Sequence, residues 1–514
     1  MRKLLSGLLA TAALCLVAAC GDEGGGTPPL NPDVERIPRE GIWNTGAPLP
    51  AEPQLAGDPV RGRELLLNGS FMTCGIPFKL WNNPSFEQLI ASGFGGSRNA
   101  PRIADRQGKN AAMPYFLNVF ESPDGAEVIN ANCLLCHGGI FNGELVVGLG
   151  NATADFTGGA GGGNTSIPLT DSVLNLFGLN EVEKFQLRKT FARGGVLGPL
   201  TSMRTVGMNP AEMFAVILMV HHDRETLAWS DEEVTPLRIY DHDGNALDND
   251  DVRITSDPPP WWRAHKKNAL FYNGMARGDH RGSMAYATAV CVDDVERARQ
   301  VDEWFVDIQA FISSLRAPRY PFAIDPTLAE QGHELFVESC AGCHGTYAAD
   351  DEHETYPNLL IPLDVIGTDP VVAEAGVVHS PQLVEWYNNS FYGQITRMVP
   401  NDPFPGYMPP PLDGIWATAP YLHNGSVPTI ELVLNSRARP QYWRRVDLDS
   451  THFDQDALGW PFLETAYSQA NAPEAERELI YDTTYFSQSN RGHPFGDHLT
   501  TAERRAVIEY LKTL

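Results

Sequence analysis

The sequence predicts a mainly α-helical protein of two domains, with long loops and a few short strands. Three observations carry that expectation. A Cys-x-x-Cys-His unit occurs twice, at Cys133–His137 and again, far along the chain, at Cys340–His344. The second unit is bracketed by two stretches of helical periodicity. A body of roughly 490 residues also exceeds what one compact core ordinarily holds.

The chain opens MRKLLSGLLATAALCLVAAC, with two basic residues, an apolar stretch from Leu4 to Val17, and Ala18 and Ala19 just before Cys20. That order is an export signal, and the apolar run is too short for a stable span. The VAAC ending resembles a bacterial lipobox with Cys20 as the lipidated residue. Residues 1–20 therefore read as a lipoprotein signal peptide, and residues 21–56, beginning GDEGGGTPP, as a flexible tether. The body is expected to be exported, periplasmic or on the outer surface, held to a membrane by its lipid. Loss of Arg2 and Lys3 from the 38 basic residues leaves 36 against 64 acidic ones, a formal charge of −28. Such a surface repels nucleic acid and suits a basic redox partner, for example a small cationic electron carrier.

Of eight cysteines, Cys15 leaves with the signal and Cys20 takes the lipid. Cys133 and Cys136 with His137, and Cys340 and Cys343 with His344, have the spacing of c-type haem attachment. Two thiols reach the vinyl groups of one porphyrin while the adjacent imidazole turns under the iron. A shared zinc site would want its two pairs about 15 to 20 residues apart, and these are far more distant. Two covalently attached c-type haems are the expected cofactors. Cys74 and Cys291 remain, and an oxidising compartment favours a disulfide between them.

The domain boundaries follow. Residues 57–317 form an N-terminal haem domain with insertions, and residues 318–514 a C-terminal cytochrome c domain. The first begins with a helix after Asp58 that turns Leu65 and Leu66 inward. The second begins with a helix at Asp325–Phe336 in IDPTLAEQGHELF, in the same style, and ends with TTAERRAVIEYLKTL, where Thr500 or Thr501 caps and Val507, Ile508, Tyr510 and Leu511 share a face. Between the haem units, Pro210–Trp229 reads as an apolar helix running into His221 and His222. Asp241–Pro260 reads as a polar surface loop; its DHDGNALDND lacks the closing glutamate of an EF-hand calcium loop.

Several peptides then carry a resemblance: GIWATAPYLHNGSVPTIELVL at Gly414–Leu434, CGIP at Cys74–Pro77, PPPWWR at Pro258–Arg263, KKNALFYNGMARGDH at Lys266–His280, and NRGHPFG at Asn490–Gly496. They resemble the bacterial di-haem cytochrome c peroxidase superfamily, closest to its rubber-oxygenase-related branch, from about residue 57 to the end. The resemblance implies one haem for reaction and one for electron exchange. It implies a second protein ligand on the second iron, placed here at His493, with His498 and Met408 as alternatives. It sets His423 near a haem edge, fixing a propionate or an interdomain contact, and Trp261 and Trp262 between the haems, as relay or as buried hydrophobic side chains.

If the second iron is closed by two histidines, chemistry falls to the first. A peroxidase needs a distal base and a polar group, for which His221, His222, Arg224 and Glu225 are the candidates. An oxygenase needs an apolar pocket, which Leu270 and Phe271, with Ile217 or Met219, could build. The expected activity is peroxidase-like, using hydrogen peroxide or dioxygen. Oxidative cleavage of an apolar substrate comes second, and plain electron transfer third.

Overall fold

The computed structural model describes residues 45–84, 98–159, 169–248, 252–348 and 353–514, all within one compact unit. The signal with Cys20 and the first two thirds of the expected tether, residues 21–44, lie outside the described residues.

Two helix pairs organise the body, and each begins with the same local chemistry. Asp58 accepts from the amides of Val60 and Arg61 and is followed by proline, opening the helix Pro59–Asn68. Asp325 does the same for Thr327 and Leu328 ahead of Pro326–Ser339. An Asp N-cap followed by proline satisfies orphan amides and pre-sets the first turn. The first helix lies against Val295–Ser314, and the second against Thr501–Leu511. Each crossing passes over a glycine: a Cβ on Gly62 would come within 1.9 Å of the Asp307 carbonyl, and one on Gly332 within 1.9 Å of that of Ala506. The closing helix carries a reciprocal Thr500–Glu503 capping box, and Val507, Ile508, Tyr510 and Leu511 are buried as expected. In the first helix Leu66 and Leu67 are the inward pair, with Leu65 half-buried.

Thirteen short strands in five small sheets accompany the helices among the described residues, so the body is a mixed helix and strand structure rather than an essentially helical one. The hairpin Gly138–Phe141 with Glu144–Val147 starts directly after His137 and fixes the exit of the first Cys-x-x-Cys-His unit. Ala47–Pro48 pairs with Leu359–Leu360, and Gln54 Nε2 donates to the Gly278 carbonyl. Residues 45–56 are therefore bound to the body, which corrects the tether's expected end at 56.

Two large hydrophobic cores and three smaller clusters form among the described residues. The larger holds Leu66, Phe71, Leu134, Leu187, Ile217, Phe305 and Ile308 around the first Cys-x-x-Cys-His unit. The other holds Phe336, Trp416, Val427, Val507 and Ile508 around the second. Adjacent tryptophans part between them, Trp261 in the first core and Trp262 in the second. The stretch from Ile361 to Tyr407, beyond the expected boundary at 317, contributes to the first core. Cys74 and Cys291 are joined by a disulfide inside that same half.

Two loop expectations change. The apolar helix stops at Val220, and His221 is its C-cap. Among its described residues the segment Asp241–Pro260 is exposed mainly in its first part: Val252, Ile254 and Thr255 are fully buried and lead the chain toward the first Cys-x-x-Cys-His unit.

Candidate functional site

His137 sits at the end of the short helix Leu134–His137. Its Nδ1 lies 3.2 Å from the carbonyl of Pro259, and its ring stacks on Trp261 at 4.9 Å between centroids and 25°. A ring held by donation from Nδ1 keeps a lone pair on Nε2, the form a metal ligand requires. Burial pushes this imidazole down to about 4, so it stays neutral. His344 repeats the arrangement with its Nδ1 2.9 Å from the carbonyl of Pro410, and burial takes it to about 4 as well. Each carbonyl belongs to the middle residue of a triple-proline run, Pro258–Pro260 and Pro409–Pro411. Sequence reasoning had the first run in hand and gave neither one this role.

The thiols of Cys133, Cys136, Cys340 and Cys343 are unpaired, as haem attachment requires. Cys133, Cys136 and His137 open into a cavity of about 540 Å³, within the range of cofactor sites. Its walls are mostly apolar, including Phe191, Phe214, Met219, Leu270, Phe271 and Met398. Three basic side chains line it, Arg193, which pairs with Asp293, and Arg263 and Lys267. Arg263 is buried, its Nη2 without a partner, and Lys267 is pushed down to about 8 by burial and by Arg263. Arg263 Nη2, buried without a partner beside an apolar cavity and a Cys-x-x-Cys-His unit, fits a group with an apolar macrocycle and carboxylates, which is haem. Burial holds Asp257, beside Arg263 and Arg445, well above the usual carboxylate range, and the Tyr272 hydroxyl donates to it at 3.4 Å.

One further residue projects into this cavity that the sequence reading passed over. Glu212 lies in the first turn of the helix Ala211–Val220, and burial alone pushes its carboxyl up to about 7. The available signal was a single acid in the otherwise apolar run AEMFAVILMV. An acid in a first turn ordinarily reads as a helix-dipole or solvent residue, which hid it.

The expected distal group is not brought to the cavity. His221 is buried with Nδ1 2.9 Å from the Ser230 carbonyl and its ring stacked over Trp229. Both nitrogens of His222 face backbone carbonyls, Leu218 at 2.6 Å and Val292 at 3.1 Å. Arg224 is half-exposed near Glu225 and Glu385. None of the three lines the cavity, and neither does Ile217, whereas Leu270, Phe271 and Met219 do.

At the second unit, the rings of His344 and His493 face each other with centroids 6.3 Å apart. An imidazole nitrogen about 2.0 Å from a metal puts its ring centroid about 3.1 Å away, so an opposed pair on one ion is expected at about 6.3 Å. The spacing therefore admits one iron between them. His493 holds a left-handed backbone at φ 49°, its amide donates to the Ile366 carbonyl at 2.7 Å, and its buried Nδ1 has no hydrogen-bond partner. Burial, reinforced by His344 and Arg439, pushes it down to about 3. Both rings lie deep in the protein yet keep accessible surface, as groups facing an internal cleft do. The alternatives sit elsewhere: His498 lies 3.5 Å from Ser339 Oγ, and Met408 is buried with Leu49, Ala269 and Leu360.

Trp262 donates from Nε1 to the Asp413 carbonyl at 2.8 Å, three residues beyond Pro410. Trp261 thus touches the His137 ring itself, and Trp262 the segment that carries Pro410. His423 is buried, stacked on Tyr407 at 4.2 Å with its Nε2 3.0 Å from the Tyr407 hydroxyl, while its carbonyl accepts from the Asp257 amide. That places it in the wall behind Asp257, with no direct opening into the cavity.

Residues 406–444 match a family model described as RoxA-like, cytochrome c-like. The matched stretch contains Pro410 and His423. Two proteins of Sinorhizobium fredii are also similar in part. The uncharacterized protein y4iJ is 29% identical, covering 39% of this chain and 42% of that protein. The uncharacterized protein y4iM is 27% identical, covering 37% and 46%. The chain spans less than half the length of either curated relative. The family match implies a c-type haem and, at its broadest, haem oxidoreductase chemistry.

Proposed function

We propose that this protein is an exported di-haem c-type oxidoreductase that activates hydrogen peroxide or dioxygen beside His137 and relays electrons through the site at His344 and His493. The observation that carries the reading is the shared cavity: His137 and the carboxyl of Glu212 open into one largely apolar chamber. Haem bound there supplies an iron that takes up the oxidant and exchanges electrons.

The chain's own residues do the rest. Pro259 fixes the tautomer of His137. Arg263 and Lys267 would hold haem carboxylates. Glu212 Oε, poised near neutrality, takes a proton from bound peroxide and returns it to the departing oxygen, and the reduction consumes two electrons and two protons per peroxide in forming two waters. The apolar walls exclude bulk water from that transfer. His344 and His493 would hold the second group from both sides, which would suit electron storage, and Trp261 and Trp262 would lie on the route between the two.

A second reading, oxygenation of an apolar substrate, is favoured by the apolar walls and by the RoxA-like match. The acidic surplus suits a basic electron donor. The N-terminal pattern supports export with a lipid at Cys20, and no helix among the described residues is long and apolar enough to cross a membrane. The test is steady-state turnover of the holoprotein with hydrogen peroxide and a reduced cytochrome, against oxygen consumption with a polyisoprenoid. Turnover of neither, with both irons closed to cyanide, would leave an electron carrier.

A further inference from the structure

Among the described residues of the loop DHDGNALDND, Asp241 is committed to local hydrogen bonds. Asp241 Oδ1 is taken up by the amides of Asp243 and Asn245 and by the Asn245 side chain. The residue beside it, His242, instead reaches across to a different part of the chain.

There Glu374 ends the short helix Val371–Glu374, and a single π-type turn, Ala375–His379, follows. Such turns are rare and frequent at functional sites. This one has two faces. Ala375 and Gly376 line the cavity of the first haem unit, while His379 points away from it. His242 Nδ1 lies 2.9 Å from Glu374 Oε2, and His379 Nε2 lies 3.9 Å from the same oxygen. The three donor atoms fall within 4.8 Å of one another.

Internal hydrogen bonding does not satisfy this group. His379 is completely buried and its Nε2 has no hydrogen-bond partner. Glu374 Oε2 is also without one, because its short contact to His242 lacks hydrogen-bond geometry. Leaving such atoms unpaired inside a protein is costly, and here they converge. The other nitrogen of His379, Nδ1, lies 2.6 Å from the Tyr240 carbonyl. Donation there leaves the lone pair on Nε2, as a carbonyl does behind many metal-bound histidines.

The spacing suits one small ion. A tetrahedral ion with bonds of about 2.0–2.1 Å sets its donor atoms about 3.3–3.4 Å apart and two imidazole centroids about 5.1 Å apart. The measured donor distances of 2.9 and 3.9 Å bracket the first value, and the centroids of His242 and His379 are 5.2 Å apart.

We propose that His242, Glu374 and His379 bind a divalent transition-metal ion of the zinc class, with a fourth position open to water. Two imidazoles and one carboxylate are a borderline donor set, suited to zinc over calcium or magnesium. The ion would tie the turn at Tyr240–Asn245 to the π-type turn that forms part of the cavity wall. Burial holds His379 below the usual histidine range, which favours its neutral ring.

The test uses the holoprotein with both haems attached, stripped with a chelator, dialysed and titrated with zinc ion at pH 7.5, with bound zinc counted by elemental analysis. Wild type should take one equivalent that His242→Ala and Glu374→Gln each weaken at least tenfold. X-ray absorption of that equivalent should show two imidazole nitrogens and an oxygen near 2.0 Å. His242 is half-exposed, so its loss leaves the core intact, and unchanged haem spectra check this. Failure of wild type to bind at 100 µM zinc, or an equivalent that survives both substitutions, would overturn the proposal.

Discussion

Replacing Glu212 with glutamine separates its two roles. Burial raises the carboxyl from 4.5 to about 7. If the carboxylate takes the first proton of peroxide, the ionised form is the active one, and only about 1% of it is present two pH units below that value. The second-order rate constant for peroxide should therefore climb about tenfold per unit between pH 5 and 6 and level off above 7. Glutamine should abolish that limb and lower the plateau by about 10²–10⁴-fold, the usual range for a positioned acid or base. The same shift acts on stability with a definite sign. The folded state binds the proton more tightly than the unfolded chain, so stability is lost as pH rises from 4.5 through 7. At 1.36 kcal/mol per pH unit, the ionised carboxyl costs up to roughly 3 kcal/mol by pH 8. The glutamine variant should therefore be the more stable protein at pH 8 and lose that advantage at pH 4. Stopped-flow mixing of reduced holoprotein with peroxide across pH reads the first effect, and urea unfolding at both pH values the second. A variant that keeps the wild-type plateau and the wild-type pH limb would refute Glu212 as the proton carrier.

His493→Ala should turn the second site from low spin to high spin or water-ligated and remove its near-infrared ligand band; an unchanged band would discard the His344–His493 pair. Gly332→Ala places a methyl 1.9 Å from the Ala506 carbonyl, forcing the Pro326–Ser339 and Thr501–Leu511 helices apart. It should cost about 1–3 kcal/mol by urea unfolding, and an unaffected midpoint would show that the helices do not meet there. Trp262→Phe removes the bond to Asp413 and the more oxidisable ring; it should slow electron transfer between the two sites in flash reduction while haem content holds, and an unaltered rate would return Trp262 to a purely structural role.

The most legible features were those whose cause is local. Two Cys-x-x-Cys-His units, the helix starts at Asp58 and Asp325, and a threonine cap for the last helix all act within a few residues; the structure has both helix starts as read and settles the cap on Thr500, with Glu503 a partner the sequence reading did not name. Features that depended on distant chain were hidden. His221 and His222 resemble a solvated helix end in sequence, and only the carbonyls of Ser230 and Val292 reveal why they are buried. Glu212 was obscured by a rule that is right for exposed helices and fails when the first turn faces a cavity. The buried half of Asp241–Pro260 was missed because its polar composition suggested solvent, whereas Val252, Ile254 and Thr255 follow the apolar interior. His493 was found through a peptide resemblance; its orientation toward His344 is a tertiary fact that no spacing rule encodes.

The most direct test of the account is electron paramagnetic resonance of the oxidised holoprotein with and without cyanide, repeated after reduction by one electron. One ferric site should be low spin and indifferent to cyanide, as the opposed pair His344 and His493 requires. The other should be high spin, in one state or both, and should turn low spin when cyanide enters the chamber beside His137. Two low-spin sites untouched by cyanide in both states would contradict an open reaction centre there.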